Sequence, residues 1–269
     1  MTKRQMTPSE SEQYDFLIDK YGELLTLIDT HISSPRKERL VELHNKFQDR
    51  VLSSPASYKE HFHNAFYGGY LLHVLNVIHH GLDLYNLWKS WGVVMDDFGE
   101  EEVVFCALMH DFGKLGLEEA PYYTPSTSDW HRKNLGVVYD INKGLQPYME
   151  TTVRTLFLMQ KYDIILNETE YLGILLAEGL YNDMTHRNLL QGDASKKLKT
   201  ALPHIIHQAD MSATVREYLT WHKETTEADE GEVLPVKKKE KFQVKENKLS
   251  TSDIERLKGT FKDVFEKDK

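Results

Sequence analysis

The sequence predicts an all-α protein. Three observations carry that prediction: apolar residues recur at three- and four-residue spacing, helix-start signals precede several of these stretches, and no segment alternates with period two. Thr7-Pro8-Ser9-Glu10 reads as a capping box with proline in the first turn. Behind it Tyr14, Leu17, Ile18, Tyr21, Leu25 and Ile28 fall at helical spacing. Ser34-Pro35 restarts the chain into a second helix carrying Leu40, Leu43, Phe47 and Val51, which Ser53-Ser54-Pro55 ends. A third helix runs from Gly69 to about Trp88, residues 96–99 turn, and a short helix then reaches His110. Residues 122–128 are rich in Pro, Ser and Thr and read as a loop. Further helices are expected at about 129–142, 147–161, 168–180 and 195–221, the last bent by Pro203, which removes a backbone donor.

The tail has a different character. Residues 224–232 hold five acidic side chains and 237–248 hold six lysines, with few apolar residues among them. Such charge blocks stay solvated, so residues 223–250 read as a linker. Ser252 to Glu255 forms another capping box, and Ile254, Leu257, Phe261, Val264 and Phe265 make one apolar stripe. A short amphipathic helix is therefore expected over 251–269, docked back on its own domain. The expected organisation is N-terminal helices over 1–54 packing on a main helical domain over 55–222, then the linker and the terminal helix.

Composition narrows the function classes. The 269 residues are 40% hydrophobic and 28% charged, an ordinary globular balance. Apolar runs such as Val103–Met109 are too short to span a bilayer, and Met1-Thr-Lys-Arg-Gln does not read as a signal segment. A single cysteine, Cys106, excludes an intrachain disulfide framework and sits in an apolar run, so a buried thiol in a reducing cytoplasm is expected. The net charge of −9 disfavours a general nucleic-acid surface while leaving room for a local basic pocket.

Three segments carry chemistry. They are Asn64-Ala-Phe-Tyr-Gly-Gly-Tyr-Leu-Leu-His73-Val-Leu-Asn76, Ala107-Leu-Met-His110-Asp111-Phe-Gly113-Lys114, and His204-Ile-Ile-His207-Gln-Ala-Asp210. Adjacent helical residues diverge by about 100°, so His110 and Asp111 can share one ion only where a helix ends. Gly113 supplies the turn there, and Lys114 follows within reach of a phosphate oxygen. His73, Asn76 and His80 form a polar stripe on an otherwise apolar helix, and His207, Asp210 and Thr214 form another. Burying such stripes is costly unless they are paired or ligate something. An isolated His-Asp pair is usually a buried histidine beside a capping aspartate; three helices each offering ligand-type groups from apolar settings point instead to a divalent ion.

The order His … His-Asp … Asp, with glycine and lysine after the pair, resembles the HD superfamily of metal-dependent phosphohydrolases. The Gly-Gly-x-Leu-x-His and His-Asp-x-Gly-Lys segments are similar to those of the HD domain of YhaM-type 3′–5′ exoribonucleases and of phage and bacterial HD proteins. The resemblance covers roughly residues 50–222. It implies an HD-domain helical bundle, with His73, His110, Asp111 and Asp210 as metal ligands and an activated water attacking phosphorus. Asp111 would be the proton acceptor or a bridging ligand, and Lys114 the second catalytic group. The cofactor expected is manganese, iron, zinc or nickel, since His ligands disfavour magnesium.

The pattern departs from many relatives at Leu176-Ala177-Glu178-Gly179, where paired histidines of a second metal site would stand. His131 and Glu178 are the candidates for that second ion. Arg132, Lys133, Asn76 and His186 are candidate substrate contacts, and His61 or His63 a candidate for the pocket edge. A solvated face explains Arg132 and Lys133 equally well. The expected activity is hydrolysis of a phosphoester, with a nucleotide or nucleoside phosphate as the favoured small-molecule partner. The alternatives are a di-iron oxygenase, which needs a complete second site, and a non-catalytic nucleotide-binding regulatory module.

Overall fold

The computed structural model describes residues 10–93, 97–145, 149–179, 189, 193–195 and 197–230. Most of these residues are helical. The element order is α1 (Glu10–His31), α2 (Arg36–Lys46), α3 (Gln48–Ser53), α4 (Gly69–Ser90), α5 (Glu100–Met109), a 3-10 turn (Phe112–Leu115), β1 (Tyr123–Pro125), α6 (Asp129–Leu135), β2 (Tyr139–Ile141), α7 (Thr151–Lys161), α8 (Glu168–Leu175) and α9 (Leu202–Glu230).

Helix α5 is the centre of the bundle. Every residue from Val103 to Met109 is buried, and a helix that is apolar all round must be enclosed on all sides. Its neighbours are α1, α4, α8 and α9. The expected stripe of α1 faces inward, with Leu17, Ile18, Tyr21, Leu25 and Ile28 buried. Helix α4 lies between α5 and α9 and packs most extensively against both. Gly81 makes the close approach workable: a Cβ there would stand 3.1 Å from Val103 Cγ1 and 3.8 Å from Ala209 Cβ. One apolar core unites α1–α5 with α9. Burying a large apolar side chain contributes roughly 1.5–3 kcal/mol, so this core can carry a few polar groups in its midst.

The all-α expectation holds, in that the described residues are mostly helical, with one small hairpin added in which Tyr123–Pro125 pairs antiparallel with Tyr139–Ile141. Several boundaries need correction. Helix α6 ends at Leu135 instead of about 142, because Gly136 adopts a left-handed φ of 61° that terminates it. The second helix is broken at Phe47 into α2 and α3. Helix α8 stops at Leu175 instead of about 180. Pro203 does not bend the last helix. It sits in the first turn, where its missing N–H has no intrahelical acceptor in any case. The same helix continues to Glu230, so its last turns take up part of the acidic stretch assigned to the linker. The capping box at 7–9, most of the linker and the helix expected over 251–269 lie outside the described residues. No described helix is long and apolar enough to cross a membrane.

Candidate metal centre

The centre is assembled from α4, the end of α5 and the middle of α9. Helix α5 stops at Met109; His110 caps it with helical angles and Asp111 departs to φ −112°. This break lets adjacent side chains converge, and His110 Nε2 lies 3.4 Å from Asp111 Oδ2. His73 of α4 places Nε2 3.2 Å from Asp210 Oδ1 and 3.7 Å from Asp111 Oδ2. His110 Nε2 lies 3.8 Å from Asp210 Oδ1. Ligand atoms of His73, His110 and Asp210 fall within 4.8 Å of one another, and Asp111 borders them.

The outer nitrogens of both rings are engaged. His110 Nδ1 lies 2.7 Å from the Ala107 carbonyl, which can only accept, so Nδ1 carries a proton and donates. His73 Nδ1 meets the Glu217 carboxylate at 3.1 and 3.3 Å. Asn76 Nδ2 donates to Glu217 Oε1 at 2.8 Å. The inner Nε2 atoms of both rings are buried and make no well-directed hydrogen bond. A buried polar atom without a partner costs free energy, and two such atoms aimed at two carboxylates fit a divalent cation. Imidazole with carboxylate suits zinc, manganese, iron or nickel.

Electrostatics point the same way. Burial opposes charge on His73, but Glu217 and Asp210 outweigh it and raise its pKa to about 10. Burial likewise opposes ionisation of Asp111; Lys114, His110 and His73 overcome it and hold its carboxyl well below the usual range. Asp210 is lowered against burial by its contact with His73 and by the charge of His110. Ionised carboxylates therefore surround the imidazoles, and a cation offsets them. Lys114 Nζ sits 2.5 Å from Asp111 Oδ2; burial disfavours its charge, and Asp111 more than restores it, so Lys114 is cationic.

Helix α7 fixes the turn that bears these groups. The Gly113 N–H donates to Thr155 Oγ1 at 2.8 Å, and Arg154 donates from Nη1 to the Gly113 carbonyl at 3.1 Å. A Cβ on Gly113 would stand 2.0 Å from the Thr151 carbonyl oxygen, so only glycine fits this approach. At the other end of the site, Gly68 adopts φ 80° to start α4, five residues ahead of His73.

The remaining sequence candidates fall in several places. Asn76 is held by Glu217 and so acts on the site through His73. Glu178 and His131 line one cleft, but neither belongs to the His/carboxylate groups that could hold an ion among the described residues. Glu178 accepts from Thr152 Oγ1 at 3.0 Å, and burial together with Asp111 raises its pKa. Arg132 donates to the Ser126 carbonyl at 2.7 Å and approaches Asp129 at 3.8 Å, while Lys133 is exposed. His186 lies outside the described residues. Of the candidate edge residues, His63 approaches His73, with ring centroids 4.8 Å apart. Burial, then the charges of His73 and Lys114, depress its pKa to about 2. Cys106 is buried and free, and burial raises its thiol pKa well above the usual value.

Two residues escaped the sequence reading. Glu217 lies two helical turns after Asp210, so the stripe His207, Asp210, Thr214 extends to it at helical spacing. Arg154 gave no signal, since an arginine in an amphipathic helix is ordinarily solvated.

Comparison with known proteins gave no match. No family model matches the chain, and neither a curated protein nor a solved structure is significantly similar to it.

Proposed function

We propose that the protein is a metal-dependent phosphohydrolase of HD type, acting on a phosphoester of small-molecule size, with nucleotides the favoured class. The observation that carries this reading is the pair of buried, unpartnered Nε2 atoms of His73 and His110 converging on Asp111 and Asp210. Those four residues would hold the ion. A divalent ion there supplies Lewis acidity and an ionised water as nucleophile near neutral pH.

The protein's own groups do the rest. Lys114, cationic and beside Asp111, neutralises charge on a phosphoryl oxygen as the P–O bond to the leaving group breaks. Asp111, ionised and facing both imidazoles, is placed to accept a proton from the attacking water. Glu217 and the Ala107 carbonyl hold the two rings in the tautomer that turns Nε2 inward. The order His … His-Asp … Asp with Gly113 and Lys114 supports assignment to the HD superfamily, and the bundle around α5 is compatible with it. Placement in the cytoplasm is part of the same proposal.

The experiment is a screen of the purified protein against nucleotides and phosphomonoesters with manganese, iron, zinc, nickel and cobalt. Phosphate or pyrophosphate release that disappears in Asp111→Ala is expected. No release with any metal sinks the reading. Two irons per chain with consumption of oxygen would move the assignment to an oxygenase.

A further inference from the structure

A cleft with a volume of about 1520 Å³ lies beside the metal centre. An orthophosphate ion fills only a small part of such a space. Its lining includes Tyr58, Tyr122, Tyr139, Thr151, Arg154 and Glu178. Glu178 senses the charges of both Asp111 and Lys114, so cleft and metal centre adjoin.

Arg154 is unusual there. It is 2% exposed, yet no carboxylate lies within ion-pair distance of it among the described residues. Nη1 donates to the Gly113 carbonyl at 3.1 Å and Nη2 to the Met149 carbonyl at 2.5 Å. A guanidinium has five N–H donors, so among the described residues three are left over, and buried Nε is one with no acceptor. The guanidinium carbon lies 4.8 Å from the centroid of the Tyr122 ring, which restricts the fork. Among the described residues this buried cation is held by carbonyls alone, and it stands on a cleft wall with donors to spare. Its bond to Gly113 ties it to the residue preceding Lys114, so two cationic side chains serve one turn from different helices.

We infer that Arg154 binds a second anionic group of the substrate, distinct from the phosphoryl group that is hydrolysed. The ligand class is a phosphate compound carrying another phosphate or a carboxylate, recognised through the spare guanidinium donors against Tyr122. This rests on the phosphohydrolase reading for the first group only; the anion site itself is a matter of binding. Its acidic neighbour Glu178 accepts from Thr152 Oγ1 at 3.0 Å, and Asp140 and Glu150 also line the cleft.

The test uses the full chain, loaded with manganese and also metal-free, and ligands that cannot be hydrolysed. Calorimetry compares methylenediphosphonate and phosphonoacetate with methylphosphonate. The two-anion ligands are expected to bind at least about tenfold more tightly, as charge-assisted guanidinium bonds allow. Preference for the first over the second identifies phosphate as the second group, and the reverse identifies carboxylate. Arg154→Lys is expected to lose most of the preference, read as the ratio of two-anion to methylphosphonate affinity within each protein. Tyr122→Leu, which leaves the bond to Gly113 intact, should lose part of it. Equal loss for all three ligands in Arg154→Lys would show a merely structural clamp and overturn the inference. So would a wild-type protein that binds the three alike. Failure of hydrolysis alone touches only the phosphohydrolase reading, because these affinities are measured without turnover.

Discussion

Replacing Glu217 with alanine tests how the metal centre is oriented. The carboxylate meets His73 Nδ1 at 3.1 and 3.3 Å and accepts from Asn76 at 2.8 Å, all in a buried setting. Without it, a buried imidazole N–H loses its acceptor, which costs about 1–3 kcal/mol. The ring also loses the contact that fixes its tautomer and rotation. Loss of such an outer partner lowers metal affinity about 10- to 100-fold, equal to about 1.4–2.7 kcal/mol. Glutamine at the same position keeps one acceptor oxygen, and Asn76 can reverse its amide to bond the new NH2 group. Glu217→Gln is therefore expected at the mild end, near tenfold, and Glu217→Ala near a hundredfold. Competition for zinc against a fluorescent chelator at fixed pH measures both. Wild-type zinc affinity in Glu217→Ala would refute the claim that this carboxylate orients a ligand.

Two further predictions concern stability. His44 is fully buried, and burial lowers its pKa from 6.5 to about 4 although its Nδ1 bond to the Leu40 carbonyl opposes the shift. Between those values the unfolded chain takes up a proton that the folded chain refuses, so stability is full above pH 6.5 and falls towards pH 4. The loss amounts to about 3 kcal/mol, read as a drop in urea midpoint that flattens in His44→Gln. Gly113→Ala places a Cβ 2.0 Å from the Thr151 carbonyl oxygen. It should cost about 1–3 kcal/mol by thermal or chemical unfolding, and it should reduce any phosphate release by displacing Lys114. An unchanged unfolding midpoint would contradict the close packing of α7 on this turn.

The sequence makes some of this legible for physical reasons. The buried stripe of α1 and the all-apolar Val103–Met109 segment leave helix periodicity no competitor, and the helices that form the core follow from them. The polar stripe of His73, Asn76 and His80 can be read because burying it unpaired would be costly; in the structure its partners are Glu217 and Ser212 of α9. The hairpin is hidden because each strand is only three residues long, too short for an alternation to show. Pro203 is ambiguous in sequence, since the same residue breaks a helix interior and starts a helix, and only the position of the start decides. Glu217 was within reach of the spacing argument. Arg154 was not, since its burial depends on Tyr122 and the Gly113 turn meeting it in three dimensions.

Anomalous diffraction from crystals soaked in zinc tests the central claim most directly. The account predicts one strong anomalous peak between α4, α5 and α9, about 2.1 Å from Nε2 of both His73 and His110, with Asp111 and Asp210 completing the shell and no peak in His110→Ala. An empty centre at saturating zinc, or a peak held by other residues while these four side chains stay as they are, would contradict it.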